Sequence, residues 1–456
     1  MTGVKPWQVG LADIAEWDSG AVKRKTPRKG TLAGPDGGGI VGGQDPGVSY
    51  EYPRLRPVEA FAAEVSGHEV VCLRDPKQYS EAVVYVPVHT ASILGLFDGR
   101  HSLLDIQEAF ARRFGSLLFR EQLLEVIQSL DEHLLLDSPR FACHQAAVAE
   151  EFHRAGTRAA MLAGKSYPPD PDALRQQLES YFAAAEGPGE TPPSPSAGEL
   201  AGLVVPHIDF PRGGACYAWG YRELEGAAPV DRWIILGTVH AEIARPFALT
   251  RKDFETPLGT VEADQEFVDR LLGTVGSRYL DDELAHRGEH SIEFQAVFLR
   301  HRTPAGRPVR IVPILCGSLH RFVEDHQSPS HDREIEAFVV GLRATIASVP
   351  GRTVVLASAD LAHVGPRFGD PRPITPGQLR EVGDADREML GAVEAGDAEA
   401  FFRAVAGDGD RRRVCGLPPI YTALRILPGA WGRVLRYAQW PDPQGTVTFA
   451  AVAMYA

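Results

Sequence analysis

Short apolar runs rich in Val, Ile and Leu, each closed by a small or polar residue, recur through the C-terminal two thirds of the chain. Leu203-Val204-Val205 is closed by Pro206-His207-Ile208-Asp209. Trp233-Ile234-Ile235-Leu236 is closed by Gly237-Thr238-Val239-His240, and Val354-Val355-Leu356-Ala357 by Ser358-Ala359-Asp360-Leu361-Ala362-His363. Ile311 to Leu315 and Thr446 to Met454 are further runs of this kind. Continuous rather than alternating apolar character predicts strands buried on both faces. Helical spacing between the runs predicts an α/β domain with a mostly parallel sheet sandwiched by helices. Ligands of such sheets bind outside the carboxyl ends of the strands. Three strand ends therefore carry His207, His240, Asp360 and His363 to one edge.

The N-terminal part follows another pattern. Glu69 to Leu73 and Ala82 to Val86 read as short strands. Leu103, Ile106, Phe110 and Phe114 recur at helical spacing behind the cap-like His101-Ser102, and Leu123, Val126, Ile127 and Leu130 repeat that spacing. Residues 52–143 thus read as a small α+β domain. Residues 1–51, rich in Gly, Pro and Lys, read as a flexible tail in which Lys23-Arg24-Lys25 is solvated charge. Residues 144–185 read as helical, and the Pro/Gly/Ser stretch from Gly187 to Ser196 as an exposed loop.

Bulk properties narrow the class. A length of 456 residues exceeds one ordinary domain, and 44% hydrophobic residues suffice for a sizeable core. A net charge of −13 argues against a nucleic-acid backbone binder. No apolar run approaches the roughly 18–20 residues that span a bilayer, and the N-terminus shows no apolar signal segment, so a cytoplasmic protein is expected. Cys72, Cys143, Cys216, Cys316 and Cys415 are odd in number and scattered, which suggests neither a disulfide framework nor a structural zinc site.

Candidate chemistry concentrates at the strand ends. Imidazole and carboxylate together are ligands for borderline divalent metals. Asp360 and His363, three apart, share a face if a helical turn starts there, with Ser358 as its cap. Glu289-His290-Ser291-Ile292-Glu293 opens a helix, with Glu289 and Glu293 on one face and His290 beside Glu293. It is not the HExxH pattern of zinc proteases. Cys415, in Val414-Cys415-Gly416-Leu417-Pro418-Pro419, precedes a helix start, where a thiolate gains a lowered pKa and ligates metal. Each residue alone has an ordinary structural explanation: a capping histidine, an acidic first helical turn, an inert buried cysteine.

Taken in order, these segments resemble the Memo family, whose fold is similar to the class III, LigB-type extradiol dioxygenases. Ala163-Gly164-Lys165-Ser166-Tyr167-Pro168 is similar to the family's AGSWYP opening. Pro206-His207, Gly237-Thr238-Val239-His240 (family GPSH), Thr256-Pro257-Leu258-Gly259 and Glu289 to Glu293 follow. Ser358 to Gly365 (family SSDFSHYG) and Cys415-Gly416 complete a resemblance that covers residues 150–456. Leu94-Gly95-Leu96-Phe97-Asp98-Gly99, two helices and Leu134-Leu135-Leu136 resemble the PqqD-like, winged-helix peptide-recognition domains.

The resemblance implies a non-haem metal, Fe(II) first, with Cu or Zn as alternatives. It implies His207, His240 and Cys415 as metal ligands, with His363, Asp360 and His290 as catalytic pocket residues. Bacterial members, named AmmeMemoRadiSam system protein B, imply radical-SAM and AMMECR-type pathway partners. The small domain implies a bound peptide or protein; neither nucleic acid nor membrane is expected as a partner. Where the family has PHAGYxYSG, this chain has Pro206-His207-Ile208-Asp209-Phe210-Pro211-Arg212-Gly213-Gly214, so a pocket tyrosine is missing and Arg212 is free to face an anionic ligand. The GPSH hydroxyl beside the histidine is lost at Val239, and Val297 stands where the family often has proline. Three readings remain open: a dioxygenase-like redox enzyme, a metal-dependent hydrolase with Asp360 as base, and a metal- or peptide-binding adaptor.

Overall fold

The computed structural model describes residues 7–8, 50–65, 67–190, 198–225, 227–304 and 306–456. The expected tail, with Lys23 to Lys25, lies outside the described residues apart from Trp7, Gln8, Tyr50 and Glu51, as does the stretch from Thr191 to Ala197. Two compact units meet between Glu151 and Phe152.

The smaller unit holds an antiparallel sheet of β1 (Trp7–Gln8), β2 (Glu59–Val65), β3 (His68–Arg74) and β4 (Val83–Pro87) in that order. The helices Leu103–Phe114 and Arg120–Glu132 follow. The first starts at a capping box, in which Ser102 accepts from the Asp105 N–H and Asp105 accepts from the Ser102 N–H. Their apolar stripes put Leu103, Ile106, Leu123 and Ile127 in one core with Leu73, all at 0% exposure.

The larger unit is built on a nine-stranded sheet. A separate two-residue pair joins β5 (Thr157–Arg158) to β9 (Asp253–Phe254). The sheet comprises β6 (Leu200–Val205), β7 (Arg232–Thr238), β8 (Phe247–Leu249), β10 (Glu262–Ala263) and β11 (Arg310–Cys316). It is completed by β12 (Thr353–Ser358), β13 (Asp360–Val364), β14 (Trp431–Trp440) and β15 (Thr446–Tyr455). The order is β10-β11-β7-β12-β6-β15-β13, with β14 on β15 and β8 on β11. Five strands, β10, β11, β7, β12 and β6, run parallel. The remainder pair antiparallel, so the sheet is mixed rather than mostly parallel. For β14 and β15 the cause is their hairpin: a connection as short as Pro441 to Gly445 joins only antiparallel strands.

The continuous apolar runs are explained by burial on both faces. Val204, Leu236, Val355 and Ala357 point into one core, and Leu203, Val205, Ile235, Val354 and Leu356 into the other. Helices cover both sides. In the helix Phe210–Arg222, a Cβ at Gly220 would meet Val205 Cγ1 at 2.4 Å, so that helix lies against β6 only because residue 220 is glycine.

Two local expectations fail. Asp360 to His363 is not a helical turn but the strand β13, paired to β15 across a register shift. Ser358 is not a cap; it ends β12, and its hydroxyl donates to the Ser291 carbonyl. The stretch 144–185 is only partly helical: the helices Pro139–Arg154 and Pro171–Ala183 are separated by β5 and irregular chain.

Candidate metal centre

The parallel order β7-β12-β6 brings three strand ends together. Ser358 on β12 stands opposite Val205 on β6 and Gly237 on β7. His207, Asp360 and His240 follow these positions by two or three residues. A Cβ at Gly237 would meet Ser291 Oγ at 2.6 Å, so glycine there lets the helix His290–Arg302 approach the strand end. Cys415 arrives on the loop before the helix Leu417–Ile426. The Gly416 N–H donates to the Asp360 carbonyl at 2.9 Å, and a Cβ at Gly416 would lie 2.3 Å from that oxygen. Thr238, in the segment that replaces the family's GPSH, gives its hydroxyl to the Cys415 carbonyl at 3.2 Å.

Each imidazole is oriented by its Nδ1. That of His207 lies 3.0 Å from the Ser358 carbonyl, which makes Nδ1–H the donor and leaves the Nε2 lone pair facing the site. Cys415 Sγ is 3.3 Å and Asp360 Oδ2 3.7 Å from that Nε2. His240 Nδ1 lies 3.0 Å and 3.1 Å from the two Glu289 oxygens, and His290 Nδ1 lies 3.2 Å from Glu289 Oε1. Glu289 also accepts from the His240 N–H at 2.8 Å and the Ser291 N–H at 3.0 Å. One buried carboxylate thus aims two histidines.

Among the described residues, the donor atoms form two triads within 4.8 Å: His207, His240 and His290, and His207, Asp360 and Cys415. Ligands about 2.0–2.3 Å from one ion stand roughly 3–4 Å apart. The separations of 3.3 and 3.7 Å around His207 Nε2 fit that requirement. His207 and Asp360 are buried, whereas the side chains of His240 and His290 are 43% and 33% exposed. The site therefore opens on the His240 and His290 side.

Electrostatics leave the donors unequally ready for a cation. Burial pushes His207 and His290 down to about 3, so both are neutral at pH 7. Burial also acts to lower His240, but the Glu289 carboxylate outweighs it and the net shift is upward. Burial opposes the charge on Glu289, yet His240 and His290 hold its carboxyl well below the usual range. Burial raises Asp360 against the opposing pull of His363 and the His207 and Ile208 N–H groups. Burial and the Asp360 carboxylate hold the Cys415 thiol well above its usual range. The expected lowering by a helix N-terminus is not found, because Cys415 lies outside the Gly416 cap and beside a carboxylate. A bound cation reverses that balance, since it deprotonates a coordinating thiol.

The sequence-based candidates separate accordingly. His207, His240, His290, Asp360 and Cys415 converge, although His240 and Cys415 fall in different triads. His363 belongs to neither triad; its Nδ1 is 3.1 Å from the Leu361 carbonyl, and its ring meets Phe368 edge-on at 4.9 Å. Arg212 does not face the site as a free cation, because Asp209 holds its guanidinium at 2.8–3.0 Å. Glu293 turns away from His290 and Glu289 and pairs with Arg158, both fully buried. Sequence reading missed Arg158, which also donates to the carbonyls of Ala159, His286 and Glu289. All five cysteines are free, and no helix among the described residues is long and apolar enough to cross a membrane.

Comparisons with known proteins bear on this arrangement. A family model described as Memo-like protein matches residues 158–453. A MEMO1 family protein of Aquifex aeolicus is 27% identical over 415 residues, covering 87% of this chain and 99% of that protein. A MEMO1 family protein of Methanopyrus kandleri is 30% identical over 307 residues, covering 66% of this chain and 97% of that protein. One of Thermus thermophilus is 27% identical over 340 residues, covering 75% and 94%. The Methanopyrus match has about the extent of the larger unit, whereas the Aquifex match reaches into the smaller one. With a family model spanning β5 to β15 and relatives matched over nearly their whole length, the chain belongs to the Memo family.

Proposed function

We propose that the larger unit binds one non-haem metal ion at His207, iron in the first instance, and carries out redox chemistry of the dioxygenase type on an as yet unidentified substrate. The observation that carries this reading is the convergence of imidazole donors whose Nδ1 atoms are held by a backbone carbonyl and by Glu289. His207, with His240 and His290 or with Asp360 and Cys415, would hold the ion. Bound there, iron supplies one-electron chemistry and open positions for small molecules. The protein's own part is to present neutral imidazoles, to expose the His240 side to a substrate, and to move protons at His363, which lies beside the donors without joining them.

Within this reading the larger unit is related to the LigB-type fold. The smaller unit is a PqqD-like, winged-helix-like module that takes a peptide or protein. The radical-SAM and AMMECR-type proteins are its pathway partners in the cytoplasm. A zinc-dependent hydrolase is the second reading, favoured by the three-imidazole grouping, which is also a ligand set of catalytic zinc.

Metal analysis of anaerobically purified protein tests the proposal. About one iron per chain is expected, lost in His207→Ala. Zinc at that stoichiometry would bring the hydrolase forward. Absence of metal in both proteins would refute a metal-dependent function.

A further inference from the structure

The strands β7 and β11 run parallel with Trp233 opposite Ile311, so their amino ends lie together at the edge of the sheet remote from the metal centre. A cavity of about 280 Å³ opens there, lined by residues that precede and begin these two strands. Extended chain rises about 3.3 Å per residue, which puts Trp233 and His240 roughly 20 Å apart.

The cavity combines apolar walls with donors that lack anionic partners. Val230, Trp233, Pro229, Pro304 and Pro308 supply the apolar surface. Trp233 is only 5% exposed, and no acceptor for its indole N–H is found among the described residues. Arg307 gives one N–H to the Val230 carbonyl at 3.2 Å and has no carboxylate partner among the described residues. Arg310 faces Glu262 at 3.6 Å, and with both side chains half exposed that pair is weak. Glu225, the lining carboxylate, is already neutralised by Arg222 and Arg302. The cavity is therefore positive, although the chain carries a net charge of −13.

The walls are preformed. Arg300 donates to the carbonyls of Arg307, Thr303 and Pro304 at 2.8, 2.9 and 3.0 Å, and Arg352 donates to that of Ala228. Pro229, Pro304 and Pro308 fix the backbone of the same segments. Those carbonyls are spent outside the cavity, so a guest meets the Arg307 guanidinium and the Trp233 floor. It must bring an anionic acceptor for the first and an apolar body for the second. A guanidinium fork matches a carboxylate through two parallel hydrogen bonds. A bare inorganic anion would leave the apolar walls uncovered.

We infer that this cavity binds a small aryl- or alkyl-carboxylate, with its carboxylate on Arg307 and its apolar body on Trp233.

Isothermal titration calorimetry of the full chain with 3-phenylpropionate and with hexanoate tests this. Tryptophan emission, compared between wild type and Trp233→Phe, locates the guest. At least one of the two acids should bind at one per chain and change the emission of wild type but not of Trp233→Phe. The uncharged 3-phenylpropionamide should bind more weakly than 3-phenylpropionate by about tenfold or more, since it brings no charge to the guanidinium. Arg307→Gln should weaken the acid by about tenfold or more, with Arg307→Lys in between, because an ammonium keeps the charge but not the fork. Arg343→Gln, on the exposed side of the helix Arg333–Ser348, should change nothing. Failure of both acids to bind folded wild type at millimolar concentration would overturn the inference. So would equal binding of the amide, or undiminished binding by Arg307→Gln, since an acid held at the metal centre would not sense Arg307. Inorganic phosphate binding as tightly as the acids would overturn it too, because the apolar walls would then play no part. Circular dichroism identifies any variant that has not folded, and the Arg307 variants carry the test if Trp233→Phe is one of them.

Discussion

The sharpest stability prediction concerns Arg158. Its side chain and that of Glu293 are fully buried and paired. The same guanidinium donates to the carbonyls of Ala159 at 2.9 Å, His286 at 2.8 Å and Glu289 at 2.9 Å. Arg158→Met keeps much of the volume but strands the Glu293 carboxylate, which keeps the Leu162 N–H at 2.9 Å and the Tyr167 hydroxyl but loses its buried cation. Removing one partner of a buried pair costs about 3–5 kcal/mol. For a unit of this size that lowers its melting temperature by about 5–8 °C. Scanning calorimetry is the assay, since it separates the transition of the larger unit from that of the smaller. Glu293→Gln in the Arg158→Met background should cost less than the two single losses added, because it removes the stranded charge. A loss below about 1 kcal/mol for Arg158→Met, or strict additivity in the double variant, would refute the argument that this pair is a buried charge clamp.

Three further outcomes follow from the site. In a Cys415→Ser background, Glu289→Gln should weaken metal binding by about 10–100-fold, because the amide nitrogen cannot accept the His240 N–H that the second carboxylate oxygen accepts and the lost charge loosens both imidazoles; unchanged affinity would remove Glu289 as the orienting group. In that same background, affinity should fall with acid at a slope of about one per pH unit. Of the three imidazoles only His240 is shifted upward, by Glu289 and more weakly by Asp360 against the effect of burial, so it is the one that competes with the metal for a proton, whereas burial keeps His207 and His290 neutral down to about pH 3. Potentiometric titration giving a slope near three would show three ordinary histidines. Gly416→Ala places a methyl group 2.3 Å from the Asp360 carbonyl and 2.7 Å from Ala359 Cβ, so the Cys415 loop must shift. Cobalt(II) titration should show weaker binding and loss of the sulfur-to-cobalt absorption band; an intact band would mean that the loop gives way without moving Cys415.

What could be read from the sequence, and what could not, has a physical pattern. Strands β6, β7, β11, β12 and β15 were legible because burial on both faces demands unbroken apolar runs. His207 and His240 were legible because parallel neighbours end at one level. Asp360 and His363 misled, because a spacing of three suits a helix as well as a strand with a register shift, and pairing to β15 decided it. Glu289 was visible as a residue but not as a brace; its role depends on His240, which lies 49 residues away. Arg158 had no signal, since its partner Glu293 is 135 residues distant and a lone arginine in polar sequence looks exposed.

The same long-range contact explains why two weak motifs travel together. Tyr167, of the Ala163 to Pro168 segment, donates its hydroxyl to Glu293, and the preceding Leu162 N–H donates to the same oxygen. Glu293 sits one helical turn after Glu289, and Arg158 grips both the Glu293 carboxylate and the Glu289 carbonyl. The opening motif therefore fixes the start of the helix His290–Arg302, and that start fixes the carboxylate that aims His240 and His290. Neither segment alone specifies a metal site. Together they place one buried carboxylate to serve the donors and another, a turn away, to anchor the chain that carries it, so the order of motifs along the chain records a set of contacts across the fold.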